Sequence, residues 1–309
     1  MALKTLFLLT ENWQVYPPRD LPQLLEAAKI AEDTGCDYVA VSEHVVMGPS
    51  ACFKGPKFNP RQYHMEGNQS PFMPHPSPLI LLSAISAVTT RVKLAVCALI
   101  PPLHHPLDLA KQLATLDLLT KGRLIVFPTV SWQVEEYRAL GVRFDKRGKL
   151  LDEHLEIWRK VWAQSPASFT GEHYRFEDIY VEPKPSRPEG PDLWITGDKL
   201  HAAALRRVVR YGKAFAPLAP LTPQDRATID AAMTEAGRDP KILDYMGFIV
   251  GTHKHPTGTA DIDEALKAVA PQVENGVTTF MFKPEQFIDR PDQLKDLCKH
   301  VVGFLKNAA

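Results

Sequence analysis

Short apolar runs alternate with longer amphipathic ones along this chain, eight times over, and that rhythm limits its fold more than any other feature. A run of a few apolar residues suits a strand buried on both faces. Such strands, with helices between them, pair in parallel. The runs are Leu3–Leu9, Tyr38–Ser42, Val92–Ala98, Arg123–Phe127, Asp192–Thr196, the weak Ala214–Ala216, Tyr245–Val250 and Thr278–Phe282. Between the first two, Leu21, Leu24, Leu25, Ala28 and Ala31 form a helical stripe, with Asp20 offered as its cap and Gly35 as its stop. Further helices are expected from Ser77-Pro78, Pro106, Leu150–Trp162, Ala202–Val209, Thr222-Pro223, Ala265–Val273 and the last apolar stripe, which begins at Leu294. Eight such units in 309 residues predict a closed (β/α)8 TIM barrel, one domain over 1–309 with insertion segments at 45–77 and 165–191. The alternative is an open doubly wound sheet. Its glycine-rich turn after the first strand is missing, since Thr10-Glu11-Asn12-Trp13 stands there.

Charge and cysteine content narrow the partners. With 36 Lys+Arg against 36 Asp+Glu, the chain lacks the basic excess that draws nucleic acid or an anionic membrane. No stretch approaches the length of a membrane span, and no leader pattern is read, so a cytoplasmic protein is expected. Cys36, Cys52, Cys97 and Cys298 have neither CxxC nor metal-ligand spacing. The His-x-His at His253 and His255 runs into Pro256, and the neighbours His104 and His105 point apart in an extended segment, so no metal is expected. A Gly-x-Ser-x-Gly elbow is absent too.

In a barrel of this kind, chemistry sits at the C-terminal ends of the strands. His44 ends the second strand as Ser42-Glu43-His44, and imidazole is the side chain most easily poised as acid or base near neutrality. Gly197-Asp198-Lys199 follows the fifth strand at a helix start. A helix N-terminus with a glycine beside it can hold phosphate, although Asp198 as an ordinary N-cap is the competing reading. Trp132 and Glu135-Glu136-Tyr137 follow the fourth strand and either border a planar ligand or simply open a helix. Prolines number 27, about 9% against an average near 5%. The proline-rich 49–78 segment, with Phe53, Tyr63, His64 and Phe72, reads as a stiff lid, or else as a structural insertion or dimer contact.

Several stretches resemble the bacterial luciferase-like monooxygenase superfamily, and within it the deazaflavin (coenzyme F-420)-dependent oxidoreductases. They are Ala27–His44, Thr89–Leu94, His105-Pro106 to Gln112, Leu116-Asp117, Lys121–Leu124, Glu135–Tyr137, Leu140–Val142, Arg147-Gly148, Asp152-Glu153, Pro183–Pro185, Trp194–Gly197 and Ala204–Arg207. The resemblance implies a (β/α)8 barrel that binds a deazaflavin, or alternatively FMN, at its mouth. It further implies that Cys97 and Ala98 lie at a strained bulge under the cofactor ring, Thr129 and Ser131 beside it, Gly197 and Asp198 at its phosphate end, and His44 in the active site as the catalytic residue. It also implies a homodimer acting on a small organic substrate. Trp13, Tyr63, His64 and Trp132 are the residues expected to line that substrate, which their character suggests is apolar or planar. The chain departs from the family at the cofactor segments. Phe127-Pro128-Thr129-Val130-Ser131-Trp132 stands where the family has Gly-x-Gly-x-Gly-Trp, and Gly212-Lys213-Ala214-Phe215 where it has Gly-Asp-Gly-Trp. The leading expectation is hydride transfer under the lid. The alternative is a barrel that has lost its cofactor and serves as a binding or structural protein. The two diverge on whether a slot stays open at the mouth or is plugged by Phe127.

Overall fold

The computed structural model describes residues 2–51, 59–62 and 69–308. Its first half comprises β1 (Lys4–Leu8), α1 (Pro22–Thr34), β2 (Tyr38–Val41), α2 (Pro78–Val88), β3 (Lys93–Leu99), α3 (Pro106–Leu119), β4 (Leu124–Pro128), α4 (Val134–Ala139) and α5 (Arg147–Ala163). A hairpin of β5 (Ala167–Thr170) and β6 (Arg175–Ile179) follows. The second half comprises β7 (Asp192–Gly197), α6 (Ala202–Tyr211), β8 (Gly212–Pro217), α7 (Pro223–Glu235), β9 (Asp244–Ile249), α8 (Ile262–Leu266), α9 (Val269–Glu274), β10 (Thr279–Phe282) and α10 (Leu294–Asn307). Eight of the strands close a barrel in the order β1-β10-β9-β8-β7-β4-β3-β2, with parallel pairing throughout. The chain therefore folds as the (β/α)8 barrel that its rhythm predicts.

Strand alternation divides the apolar residues into two sets. Phe7, Val39, Leu94, Val96 and Val126 face the helices. Leu6, Tyr38, Ala95, Ile125, Phe127 and Trp194 fill the interior of the barrel. Bulky Trp194 lies 5.1 Å from the Tyr38 ring and 5.0 Å from the Phe127 ring, while Ala40, Ala95, Ala214 and Ala216 leave room for it. Outside, Trp158 and Trp162 of α5 stack at 5.6 Å, and their indole N–H groups donate to Pro106 O (3.2 Å) and Ala110 O (3.0 Å) of α3. Both indoles are thus buried without leaving a donor unpaired.

The departures from the sequence reading are local. Asp20 does not cap α1. Leu21 occupies the N-cap without a side-chain bond, and the Asp20 carboxylate instead accepts from Gln23. The Ala265–Val273 stripe divides into α8 and α9, because Lys267 and Ala268 form a break between them. The weak sixth barrel strand is a full six residues, β8. The 165–191 segment carries the β5–β6 hairpin, and Glu135-Glu136-Tyr137 lie in the short helix α4, one of the two readings offered for them.

One clip ties helix to barrel. The Glu32 carboxylate, at the end of α1, accepts the backbone N–H groups of Thr90 (2.9 Å), Arg91 (2.6 Å) and Val92 (2.8 Å) just ahead of β3. Burial pushes its pKa up, but these three bonds outweigh burial and hold it below the ordinary carboxylate value. A group depressed on folding stabilises above its unfolded pKa, near 4.3, and that contribution fades as pH falls through the folded value. Glu32→Gln is therefore expected to lower the melting temperature at pH 7, with the gap to wild type narrowing towards pH 3. Melting curves at stepped pH measure this, and a gap constant over the range would remove the carboxylate from the account.

Candidate functional site

The ends of β2, β3 and β4 converge at the C-terminal mouth of the barrel. Ser42 follows β2. Its N–H donates to Thr10 Oγ1 (2.9 Å), and the two hydroxyls lie 3.0 Å apart, locking the ends of β1 and β2 together. Two residues on, His44 is half-buried, with Nδ1 3.3 Å from Glu136 Oε2. Glu136 is wholly buried at the start of α4. It also accepts the Val45 N–H (2.7 Å) and the Ser131 hydroxyl (3.4 Å). A carboxylate can only accept, so it favours the tautomer in which His44 Nδ1 carries the proton and Nε2 is left as the acceptor. The His44 ring meets His75 edge-on at 4.9 Å and Trp132 at 6.1 Å. Burial, with smaller contributions from His44 and Lys283, pushes the His75 pKa down to about 3, so this neighbour is neutral. The site therefore pairs one carboxylate-oriented imidazole with a neutral one.

Glu43 faces the other way. Its carboxylate accepts the Ile100 N–H (2.6 Å) and lies 3.0 Å from His104 Nε2. Burial alone would lower the His104 pKa, but the hydrogen bond and charge of Glu43 outweigh it and raise it.

The turn after β4 is fixed by its own bonds. Thr129 N–H donates to Leu99 O (2.8 Å), Tyr137 OH donates to Val130 O (2.5 Å), and Ser131 sits at φ +54°, unusual for a residue with a side chain. At the end of β3 the Cys97–Ala98 peptide is cis, and the pairing with β4 shifts register between Cys97 and Leu99. The Cys97 thiol is pushed up to about 12, by burial first and the Glu11 carboxylate second, so it is not an ionised nucleophile.

Across the mouth, the ends of β1 and β10 bring charge inside. Glu11 has φ +66°. Lys283 Nζ lies 2.9 Å from Glu285 and 4.0 Å from Glu11, all three groups being buried. Asn12 braces this side, donating to Leu8 O (2.8 Å) and Leu9 O (2.9 Å) and accepting the Glu285 N–H (2.9 Å). Burial raises the Glu285 pKa in spite of Lys283.

Of the residues expected from sequence, His44, Ser131 and Trp132 come together around Glu136, while Cys97, Ala98 and Thr129 end the adjoining strands. Trp13 is half-buried and donates from Nε1 to Pro74 O (3.1 Å), beside His75. Tyr63 and His64 lie outside the described residues, as do 52–58 and the rest of 63–68 within the expected lid. Gly197 ends β7, the barrel neighbour of β4. Asp198 does not cap the next helix: α6 opens at Ala202, and its N-cap is His201, whose side chain accepts from the Ala204 N–H (3.2 Å). Asp198 is left exposed, with its carbonyl bonded to the Ala219 N–H (2.8 Å). Phe127 points into the barrel but is 1% exposed and packed on Trp194, whereas the inward-facing Ala98, Thr196, Phe248 and Met281 stay partly exposed above the filled interior. The opening is therefore not plugged by Phe127. Glu136, His75, Glu11 and Lys283 were not singled out for these roles by sequence reasoning. Lys283 lies two positions beyond the inward-facing Met281 of β10, and that alternation is the signal that could have found it.

Among the described residues, no three His, Cys, Asp or Glu side chains are arranged to hold a metal, and no helix is long and apolar enough to cross a membrane.

Comparison with known proteins adds the family. The chain is 40% identical over 116 residues to an uncharacterized protein of Mycobacterium tuberculosis, a match covering 38% of this chain and 41% of that one. It is 34% identical over 117 residues to an FMNH(2)-dependent dimethylsulfone monooxygenase of Pseudomonas putida, covering 37% of this chain and 32% of that one. In fold it is similar to an F420-dependent secondary alcohol dehydrogenase solved with an F420-acetone adduct, at a TM-score of 0.71 and 17% identity over 99% of both chains. It is similar also to a riboflavin lyase (RcaE) solved with modified FMN and riboflavin, at a TM-score of 0.72 and 18% identity over 99% of this chain and 92% of that one. The family model for luciferase-like monooxygenases matches residues 4–295, nearly the whole barrel, and the chain belongs to that family.

Proposed function

We propose that this protein is an oxidoreductase that binds a deazaflavin, or alternatively FMN, across the barrel mouth and works on a small organic substrate beside His44. The observation that carries this reading is the orientation of His44 by a wholly buried Glu136 at a mouth whose inward-facing Ala98 and Thr196 remain partly exposed. The residues present fit a planar ring: small side chains at Ala98 and Thr129, hydroxyls at Thr129 and Ser131, and a floor of Phe127 and Trp194. Gly197 and the first turn of α6 would face the phosphate end, where unpaired helix N–H groups favour an anion. A Cβ added at Gly197 would meet only ordinary contacts, at 3.6 Å from Lys199 O, so backbone access there does not depend on the glycine. The chemistry such a group supplies when bound is hydride transfer. His44 would accept or return the substrate proton at Nε2, Glu136 would hold the ring and its tautomer, and Trp13 and Trp132 would exclude water from the substrate.

Titration of the purified protein with coenzyme F-420 and with FMN, followed by fluorescence, tests this. Saturable binding of one of them is expected, with deazaflavin the favoured choice on family branch. Failure of both at high micromolar concentration would favour the cofactor-free alternative.

The protein is further proposed to act as a homodimer through α2. Ile80 is 74% exposed on that helix, Val88 extends the same element, and Leu118 and Leu119 of the adjoining α3 are exposed as well. Exposed apolar side chains on neighbouring helices suit a self-complementary interface. Sedimentation velocity should find a dimer that Ile80→Glu converts to monomer without a change in melting cooperativity. A wild-type monomer at micromolar concentration would refute it.

A further inference from the structure

A cleft open to solvent lies outside the barrel, in the flank between the β3–α3 connection, the Gly141–Lys146 segment and the turn of the β5–β6 hairpin. It measures about 610 Å3, a size typical of small-molecule sites. Nothing in the proposed reaction uses it.

Its walls are rigidly built. The Glu153 carboxylate accepts the backbone N–H groups of Glu172 (2.8 Å), His173 (3.1 Å) and Tyr174 (3.0 Å), which pins the hairpin turn to α5. Beneath the cavity, fully buried His154 spans from Leu150 O (2.8 Å) to His104 O (3.2 Å). The Tyr174 ring stands edge-on to both His154 (5.3 Å) and His105 (5.9 Å). The floor is apolar, formed by Pro102, Leu103, Val142 and Leu150.

The rim is rich in donors. His105 Nδ1 accepts the Leu107 N–H (3.3 Å), so in the neutral ring the proton sits on Nε2, which is then a donor. His104 is held against Glu43, which favours its cationic form. Arg143 gives two of its five N–H groups to Asp145 (3.1 and 2.6 Å). Lys146 lines the same cavity, and Glu172, to which Lys146 (3.3 Å) and Lys149 (2.7 Å) both bond, is the one carboxylate among its described lining residues. Each rim cation already has a carboxylate partner, Arg143 with Asp145, Lys146 with Glu172 and His104 with Glu43, while Arg143 and Lys146 keep N–H groups beyond those pairs.

We propose that this outer cavity binds a small aromatic carboxylate. The carboxylate is taken by His105, Arg143 and Lys146, and the ring lies on the Leu103–Leu150 floor beside Tyr174. An inorganic anion would satisfy the rim alone and leave the floor wet. The site is independent of the reaction proposed at the mouth, and each can fail without the other.

The test is histidine-selective NMR of the full chain, titrated with benzoate and, separately, with inorganic phosphate. Signals are assigned through His44→Gln, His104→Gln, His105→Gln and His173→Gln. Benzoate should shift the His104, His105 and His173 resonances saturably while leaving His44 unmoved. The double variant Arg143→Gln/Lys146→Gln, both at the surface, should weaken binding by about tenfold or more, as expected for loss of charge-assisted hydrogen bonds. Raised salt should weaken wild-type binding in the same direction. No saturable shift at these three histidines, an unchanged affinity in the double variant, or phosphate binding as tightly as benzoate would each overturn the proposal.

Discussion

His44→Ala is expected to lower turnover by about two to four orders of magnitude, the range general acid–base groups contribute, while cofactor affinity changes by less than about threefold. The reason is geometric. His44 is fixed by Glu136 Oε2 at 3.3 Å and by ring edges from His75 and Trp132, so under the proposed reading its position would serve proton transfer rather than ring binding. Glu136 is a positioning residue under the same reading. Glu136→Gln keeps the size but presents an amide that can also donate, so the His44 tautomer is no longer dictated. The expected result is a smaller loss of turnover with an altered pH–rate profile. Glu135→Gln, whose carboxylate bonds Ser50 at 2.8 Å and not His44, should leave the profile alone. Turnover by single mixing and cofactor affinity by fluorescence give the two quantities separately. If His44→Ala weakens binding and turnover equally, His44 holds the ligand and does not move its proton.

The barrel was legible because its determinants are local. Each strand is a short apolar run, and each helix has a stripe and a start or stop signal, as with Thr222, whose reciprocal bonds with Asp225 form a full capping box at α7. The break between α8 and α9 was not legible, since the apolar spacing runs through it. The placement of the candidate site residues was legible where strand ends dictate position, as at His44, and where motif resemblance reached, as at Ser131. It was not legible where partners are far apart in sequence. Glu136 meets His44 across 92 residues, and Glu285 meets Asn12 across 273. A run of carboxylates at the start of a short helix looks like dipole matching until the fold buries one of them against an imidazole. The same holds for Glu11 and Lys283, far apart in the chain and buried as neighbours in the fold. The competing reading of Asp198 as an N-cap does not hold, for a related reason: four residues separate the end of β7 from α6, and the cap falls to the last of them, His201.

Trp194→Ala is expected to cost roughly 3–5 kcal/mol of stability, the range for removing a large aromatic from a packed interior. The indole is 2% exposed, and its neighbours Ala40, Ala95, Ala214 and Ala216 have no longer side chain with which to fill the space left behind. Closed strands limit collapse as well, because β7 is paired on both sides, to β4 and β8. Thermal melting should show a fall of several degrees in a still cooperative transition. The substitution has a second consequence at the mouth. Phe127 lies 5.0 Å from Trp194, and that contact keeps its ring within the barrel instead of in the opening. Without it, the floor under the proposed cofactor is no longer fixed, so binding should weaken together with the melting temperature. Trp194→Phe retains a ring and should recover most of both. Trp132→Ala, at a position 46% exposed, should instead leave melting within about 0.5 kcal/mol of wild type. Should Trp194→Ala melt like wild type, the interior layer has repacked, and the aromatic floor is not what keeps the mouth open.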